Sequence, residues 1–405
     1  MRYLPFFLLV IVCFSATAQQ MTLSSQVRDS ETGEPLSFAS VGIKGKSIGT
    51  ITNAQGDFDF HFPVDYKNEI LTVSMLGYKN FEAPVWSVVN GQMPVITLHK
   101  ASFLLNEVVV TANDSLSGGD LMRIAISRID QNYPMKAFRL DGFYRDIKKV
   151  GGTYISLLEA AVNIYDDNYS EPRNKGRLRE RVKLLEVRKS LGYDNKFNAY
   201  FDQRNLLEDL LLHNNIRYHQ FDETEEFFSG LERQKDSYYN GHDVYVITHS
   251  NEFSLKVYID KTDYAIIHLE FETSNEGDRL DKKKNLVSRY LGYKKIIDFK
   301  RYDDRWYLNY ITVTSRENWH DEKTKALKFS TELQQSLLIN HVLTNAIGNI
   351  GATERMRNYG LQYQDYPYNK AFWDKYNVIK ETPLDKQILA DLEKLEPLEK
   401  QFEQD

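Results

Sequence analysis

The sequence predicts a mainly β protein: an immunoglobulin- or transthyretin-like β-sandwich at the N-terminus, then an α+β domain built on a large antiparallel sheet. Three observations predict it. Between Val27 and Leu98, turn residues fall at Gly33, Pro35, Gly42, Gly45, Gly49, Asn53 and Gly56. That spacing leaves room only for strands of about four to eight residues. From Phe138 to about Leu343, apolar and polar residues alternate, most clearly in "HDVYVITHSNEFSLKVYIDKTDYAIIHLEFE". The chain also carries 26 Tyr and 22 Phe, many in those runs. Aromatic residues suit a pleated, packed surface, with an aromatic ligand groove as the alternative.

The elements follow in chain order. Residues 1–18 read as a secretory signal peptide. Arg2 is the positive start, Phe6 to Phe14 the apolar stretch, and Ala16-Thr17-Ala18 a small-residue cleavage site. Residues 21–100 form the expected antiparallel sandwich, and residues 101–118 a linker. "LLNEVVVTA" (Leu104 to Ala112) is apolar, and "NDSLSGGD" is linker-like. Residues 119–405 make the second domain, with a curved antiparallel sheet and a C-terminal helix. A helix is expected over Leu121 to Gln131, where Leu121, Ala125 and Ile129 share a face and Pro134 ends the run.

A second helix fits Asn205 to Leu212. In the central hairpin, Phe253, Leu255, Val257 and Ile259 face one way. Asp260 to Asp263 turn the chain, and Ala265, Ile267, Leu269 and Phe271 follow on the same face. This predicts a half-buried hairpin. A further pair turns at Asp303-Asp304. In the tail, Thr382 is the expected N-cap, Pro383 opens the helix and Asp385 completes a capping pattern. Leu384, Ile388, Leu392 and Leu395 form the stripe expected to dock on the sheet, until Pro397 interrupts it.

Composition narrows the function classes. At 405 residues, 42% hydrophobic and 27% charged, the chain can form two or three globular domains. Its net charge is −6, and loss of Arg2 with the signal makes it one unit more negative. That balance disfavours nucleic acid and anionic membrane surfaces. The single cysteine, Cys13, lies inside the signal, preceded by Ile11-Val12 rather than the small residues of a lipid-anchor site. The mature chain is therefore expected to lack disulfides, thiolate ligands and an acyl anchor. No later stretch is apolar enough for a membrane helix, so no transmembrane segment is expected after signal cleavage.

The first block resembles the carboxypeptidase regulatory-like module of Bacteroidota envelope proteins. The residues that carry the resemblance are "TGEPLSFASVGIKG", "IGTITNAQGDFDF" and "VSMLGYK", spanning about 80 residues. Gly49, Asn53 and Gly56 fall where that family turns tightly. "LLNEVVVTA" resembles the segment that follows this module in TonB-dependent receptors. The receptor resemblance would imply a plug and a transmembrane barrel, but the remaining chain is short and its end, "LEKQFEQD", is charged. The module is a non-catalytic accessory in that family. The remainder is similar to the lipoprotein-carrier-like sheet, which implies a half-barrel holding acyl chains.

Candidate chemistry is sparse. His249 and Glu252 have the spacing of a zinc-peptidase pair, with His320 or His341 as a distant ligand, but His249 to Asn251 read as an exposed hairpin turn. His268 and Glu270 share a strand face, read as cross-strand hydrogen bonding on a solvated surface. Asp57 and Asp59 could contribute oxygen ligands to Ca²⁺, yet suit turn chemistry better. "RNKGRLRERVK" (Arg173 to Lys183) is the strongest basic run, read as a solvated strand or loop, with an acidic docking partner as the alternative. No nucleophile elbow, phosphate loop or dinucleotide fingerprint occurs. No catalytic residue, metal or cofactor is therefore expected. The expected function is an exported, non-enzymatic envelope binding or scaffolding protein in the periplasm or at the outer membrane. Its partner would be an envelope protein, a glycan or a lipid. A periplasmic carrier of an apolar ligand and a peptidase accessory are the alternatives.

Overall fold

The structure is a computed structural model. It describes residues 19–403, apart from 90–93, 102–115, 195, 202–205, 251–252, 275–278, 347, 357–359, 365–366, 381–382 and 395. The expected signal peptide, the "LLNEVVVTA" segment, Glu252, Thr382 and Leu395 lie outside the described residues.

The N-terminal part holds seven strands among the described residues. They are β1 (Gln20–Asp29), β2 (Ser40–Ile43), β3 (Gly49–Ile51), β4 (Asp57–Pro63), β5 (Ile70–Ser74), β6 (Phe81–Pro84) and β7 (Val95–Leu98), with a short helix α1 (Val85–Val89) before β7. They form two sheets, ordered β4-β1-β7 and β3-β2-β5-β6. The sheets face each other because strand alternation leaves each with one apolar side. On β4, Phe58, Phe60 and Phe62 are buried while the residues between them are half-exposed. They pack with Leu23, Val27, Val41, Leu71, Val73 and Ile96 into one core. One pairing departs from the expected all-antiparallel pattern: β7 runs parallel to β1. A parallel neighbour needs a long crossover, and the chain from β2 to β6 supplies it. Gly56 is required where it stands. It has φ +74°, and a Cβ there would lie 2.3 Å from the Val27 carbonyl oxygen.

The helix after the linker is α2 (Gly118–Ser127), followed by the turn-long α3 (Ile129–Asn132). It starts three residues before the expected Leu121. Ser117 caps it, its hydroxyl accepting from Asp120 N–H and the Asp120 side chain accepting from Ser117 N–H. The Gly-Gly pair that read as linker is helical for a packing reason. A Cβ on Gly118 would lie 2.5 Å from the Leu231 carbonyl oxygen, and one on Gly119 would lie 2.5 Å from that of Phe228.

The second sheet begins with β8 (Phe138–Val150), β9 (Thr153–Asp166) and β10 (Arg181–Lys189). The helices α4 (Leu206–Leu212), α5 (Asn215–Tyr218) and α6 (Glu225–Ser229) follow. Next come β11 (Glu232–Arg233), β12 (Ser237–Tyr239), β13 (His242–His249), β14 (Ser254–Asp260), β15 (Ile266–Thr273), β16 (Arg279–Lys283), β17 (Leu286–Tyr302), β18 (Arg305–Asp321) and β19 (Leu327–Leu343). Twelve described strands join in the order β10-β9-β8-β19-β18-β17-β15-β14-β13-β11, with β12 on β13 and β16 on β17. All these pairings are antiparallel. Both expected hairpin turns occur, one between β14 and β15 and one at Asp303-Asp304 between β17 and β18. One face carries the main core, where Ile297, Phe299, Ile311 and Leu337 meet Leu121, Leu207, Leu210 and Phe228 of the helices.

The opposite face is covered in part: the β14–β15 hairpin is buried on both faces near its turn and half-buried, as expected, towards its open end. Phe38 of the sandwich stacks on Tyr310 of β18 at 5.6 Å. The Val342 N–H donates to the Ser47 carbonyl over 2.9 Å, and Gly77 N–H to Tyr238 over 2.7 Å. A strap beyond α7 (Lys370–Trp373) stitches the seam. Asn377 exchanges two hydrogen bonds with the His61 backbone, and Lys380 pairs with Asp59 at 2.9 Å. The chain ends in α8 (Pro383–Leu392) and α9 (Leu398–Glu403), split at Pro397. Ile388 and Leu392 dock on Ile147, Tyr154 and Leu157 of β8 and β9, as the stripe predicted.

Candidate functional site

Register brings a set of polar side chains together inside the seam. The β15–β17 ladder sets His268 opposite Asp298. His268 Nδ1 lies 2.9 Å from Asp298 Oδ2, and its Nε2 lies 3.4 Å from Glu270 Oε1. Tyr239 donates its hydroxyl to both Asp298 oxygens, at 2.9 and 3.0 Å, and Asn309 Nδ2 donates to Oδ1 at 2.8 Å. Two residues on, Lys300 Nζ donates to Ser40 Oγ at 3.3 Å, across the seam. Gly42 leaves room for it, since a Cβ there would lie 2.9 Å from Nζ. Burial alone would lower the His268 pKa, but hydrogen bonds to Asp298 and Glu270 more than offset it and raise the ring to about 9. The imidazolium and its carboxylates thus form a satisfied charged cluster. His268 and Asp298 are 6% and 2% exposed, which leaves a substrate no access to the pair.

A second feature lies on the helix-covered face. A cavity of about 270 Å³ opens between α2, α6, the stretch after α5, and strands β14, β15 and β17. Phe221, Phe227, Phe253, Leu255, Leu269 and Phe271 give it apolar walls. Lys295 and Asn215 bring polar atoms to it. A smaller cavity of about 190 Å³ lies further along the same face, near His213, Tyr293 and Gln335. Burial, with Lys295 nearby, lowers His213 to about 4, so its ring is neutral near pH 7.

The expected site residues do not converge. His249 is not on an exposed tip. It ends β13, is 9% exposed, and stacks on Phe253 at 4.6 Å and Phe227 at 5.9 Å. The strand simply runs further than the turn signal suggested, because the ring packs between two phenylalanines. His320 and His341 lie towards opposite ends of the β18–β19–β8 ladder, His320 opposite Leu327 and His341 opposite Asp141. Among the described residues no group of three His, Cys, Asp or Glu could hold a metal ion. His268 and Glu270 do share a face, and Glu270 is 40% exposed there as expected, but His268 itself is buried at the seam.

Asp57 and Asp59 serve the fold. Asn53 Oδ1 accepts from the N–H groups of Gln55 and Asp57 at 2.9 Å each, closing the turn, while Asp59 takes Ser24 and Lys380. Two lysines of the basic run are paired. Lys175 meets Glu171 at 2.8 Å and Lys183 meets Glu354 at 2.6 Å. Glu180 turns inward to accept from Tyr218, and burial raises its pKa. Arg177 and Arg181 line an open groove of about 930 Å³ with Arg355.

Sequence reasoning missed Asp298, Lys300 and Lys295. A signal for Lys295 exists. In "YKKIIDFK", Lys295 shares parity with Tyr293, Ile297 and Phe299, a charge set on the apolar side of a strand. Asp298 and Lys300 fall on the other parity, which alternation alone assigns to solvent.

Comparison with known proteins identifies the first half of this seam. Residues 23–110 match the family model of the CarboxypepD_reg-like domain. This segment is a CarboxypepD_reg-like domain. A curated relative, the TonB-dependent receptor SusC of Bacteroides thetaiotaomicron, is 35% identical over 113 residues, covering 28% of this chain and 10% of the receptor. The chain thus spans about a tenth of that relative's length. Among solved structures, a LolA superfamily protein from Nitrosomonas europaea is 12% identical, with 56% of this chain and 94% of that one covered, at TM-score 0.18. Lipovitellin is 11% identical over 59% of this chain and 28% of its own, at TM-score 0.25. Scores this low carry no argument about the second sheet. The Phe38, Ser40 and Asp59 contacts therefore belong to the CarboxypepD_reg-like domain, which packs on Tyr310 and Lys300 beside the His268–Asp298 cluster.

Proposed function

We propose that this is an exported, non-catalytic envelope protein, acting as a binding or scaffolding module in the periplasm or at the outer membrane. The observation that carries the reading is the CarboxypepD_reg-like domain, together with 35% identity over 113 residues to a TonB-dependent receptor. Its fusion through a hydrogen-bonded seam to a twelve-stranded sheet supports a rigid platform rather than two tethered modules. The inaccessible His268–Asp298 pair supports a structural rather than a catalytic use of the chain's best acid–base constellation. Subcellular fractionation with a protease-accessibility assay tests the reading. Recovery in the envelope fraction is expected, and a cytoplasmic protein overturns it.

The phenylalanine-walled cavity favours a second reading, carriage of an apolar ligand. Concave apolar spaces with few polar groups are where small ligands bind. Native mass spectrometry of the purified chain tests it, through a retained mass that organic extraction removes.

A further inference from the structure

The geometry points to a specific ligand class for the phenylalanine-walled cavity: a single-chain amphiphile with an anionic head, its chain among Phe227, Phe253, Leu255 and Phe271 and its head on Lys295 Nζ. The inference rests on the apolar-ligand reading above and adds the charge.

Three observations carry it. First, the volume of about 270 Å³ holds a chain of about nine methylene groups, if each takes roughly the volume of one water molecule. Second, Lys295 is 8% exposed and reaches the cavity from β17. Its contacts are Asn215 Oδ1, which accepts from Nζ, and the Phe271 ring 5.8 Å away. Among the described residues no carboxylate lies within ion-pair distance of it. Asp222 lines the same cavity, yet exerts no resolved pull on Lys295, for which burial is the sole cause of a fall to about 8. Third, a buried ammonium without a counter-ion is costly, and sequences rarely keep one without a partner. The apolar Ile297 and Phe299 on the same face show what this surface otherwise selects. A carboxylate or phosphate at the head of a bound chain supplies the missing partner, through charge-assisted hydrogen bonds to Nζ.

The experiment is calorimetric titration of the purified, delipidated full chain with decanoate, decyl phosphate and decanol. One site per chain is expected, with at least one anionic ligand binding about tenfold tighter than decanol. Decanoate and decyl phosphate distinguish a fatty-acid source from a phosphate-headed one. Lys295→Met should abolish the anion preference and leave decanol binding unchanged, while Lys295→Arg should keep it. Leu255→Trp, which fills the cavity, should block all three ligands. Decanol binding as tightly as both anions would overturn the charged-head assignment and leave the apolar-ligand reading standing. No binding of any of the three would overturn both. An anion preference that survives Lys295→Met, or binding that survives Leu255→Trp in a variant that melts like wild type, would also sink the inference.

Discussion

A histidine held between two carboxylates inside a protein keeps its proton longer than one in water. His268 does so beside Asp298 and Glu270, with its pKa raised to about 9. A folded-state pKa raised above the ordinary value of about 6.5 adds stability that is complete below 6.5 and is lost as pH rises through 9. The wild type should therefore exceed His268→Gln in stability at pH 6, and this gap should shrink by on the order of 2–3 kcal/mol by pH 10. Urea melts at both pH values check it, and a constant gap would mean that the ring is neutral in the fold. Glu159 makes the opposite case. Burial would raise its pKa, but Arg188 and Arg145 lower it, each guanidinium donating over 2.6 Å. Glu159→Gln leaves two guanidinium groups facing each other with their counter-ion gone. A loss of about 3–5 kcal/mol is expected in the same assay.

Elements here are placed by contacts that their own sequence shows poorly. Gly118-Gly119 looks like a flexible joint, yet it lets the first turn of α2 press against the chain around Phe228 and Leu231. Gly119→Ala separates the two readings by sign. In an open helix, alanine would stabilise by roughly 1 kcal/mol. Here the added methyl meets the Phe228 carbonyl, and a loss of about 1–3 kcal/mol is expected in a chemical melt. The last helices are more legible. Ile388 and Leu392 of α8 sit on Tyr154 and Leu157, and Gln401 of α9 donates to the Leu392 and Glu396 carbonyls. The double change Ile388→Ala with Leu392→Ala should cost about 4 kcal/mol or more, because both side chains are buried and each truncation of this kind costs about 2–5 kcal/mol. It should also raise amide exchange along β9. Unchanged exchange there would mean that the tail does not dock in solution.

At the scale of the molecule, the sandwich and the large sheet share a boundary rather than a tether. Ile51 belongs to the same apolar cluster as Phe143, Tyr310, Leu338 and Trp373. Residues 19–101 carry their own core, so that fragment should fold and melt cooperatively as a β protein. It should melt well below the intact chain, because Phe38, Ser40, Ile51 and Asp59 lose their partners across the seam. Circular dichroism melts of the fragment and the full protein test both statements. A disordered fragment would make the sandwich dependent on the second sheet, and an equal Tm would make the seam energetically empty.

The sequence by itself determined what depends on short-range pattern. Turn glycines such as Gly56, the alternation of Phe58, Phe60 and Phe62, the hairpin turn at Asp303-Asp304 and the stripe through Ile388 and Leu392 are local, and steric and periodic rules read them directly. Of these, Gly56, Phe58 and Phe60 also carried the family resemblance of the first block, which the match over residues 23–110 bears out. Tertiary structure alone decided which polar residues are buried. Alternation marks Asp298, Lys300 and His268 as the outer side of a strand, because period two separates two faces without telling which of them meets water. A second layer laid over that side buried His268, Asp298 and Lys300 and left Glu270 at the edge of the cluster in contact with solvent. The same limit applies to His249, whose phenylalanine neighbours lie 22 residues before and four residues after it in sequence. Lys295 is the intermediate case. Its parity was visible in the sequence, but the cavity beside it and the missing counter-ion arise only when α2, α5, α6 and β14 close around it.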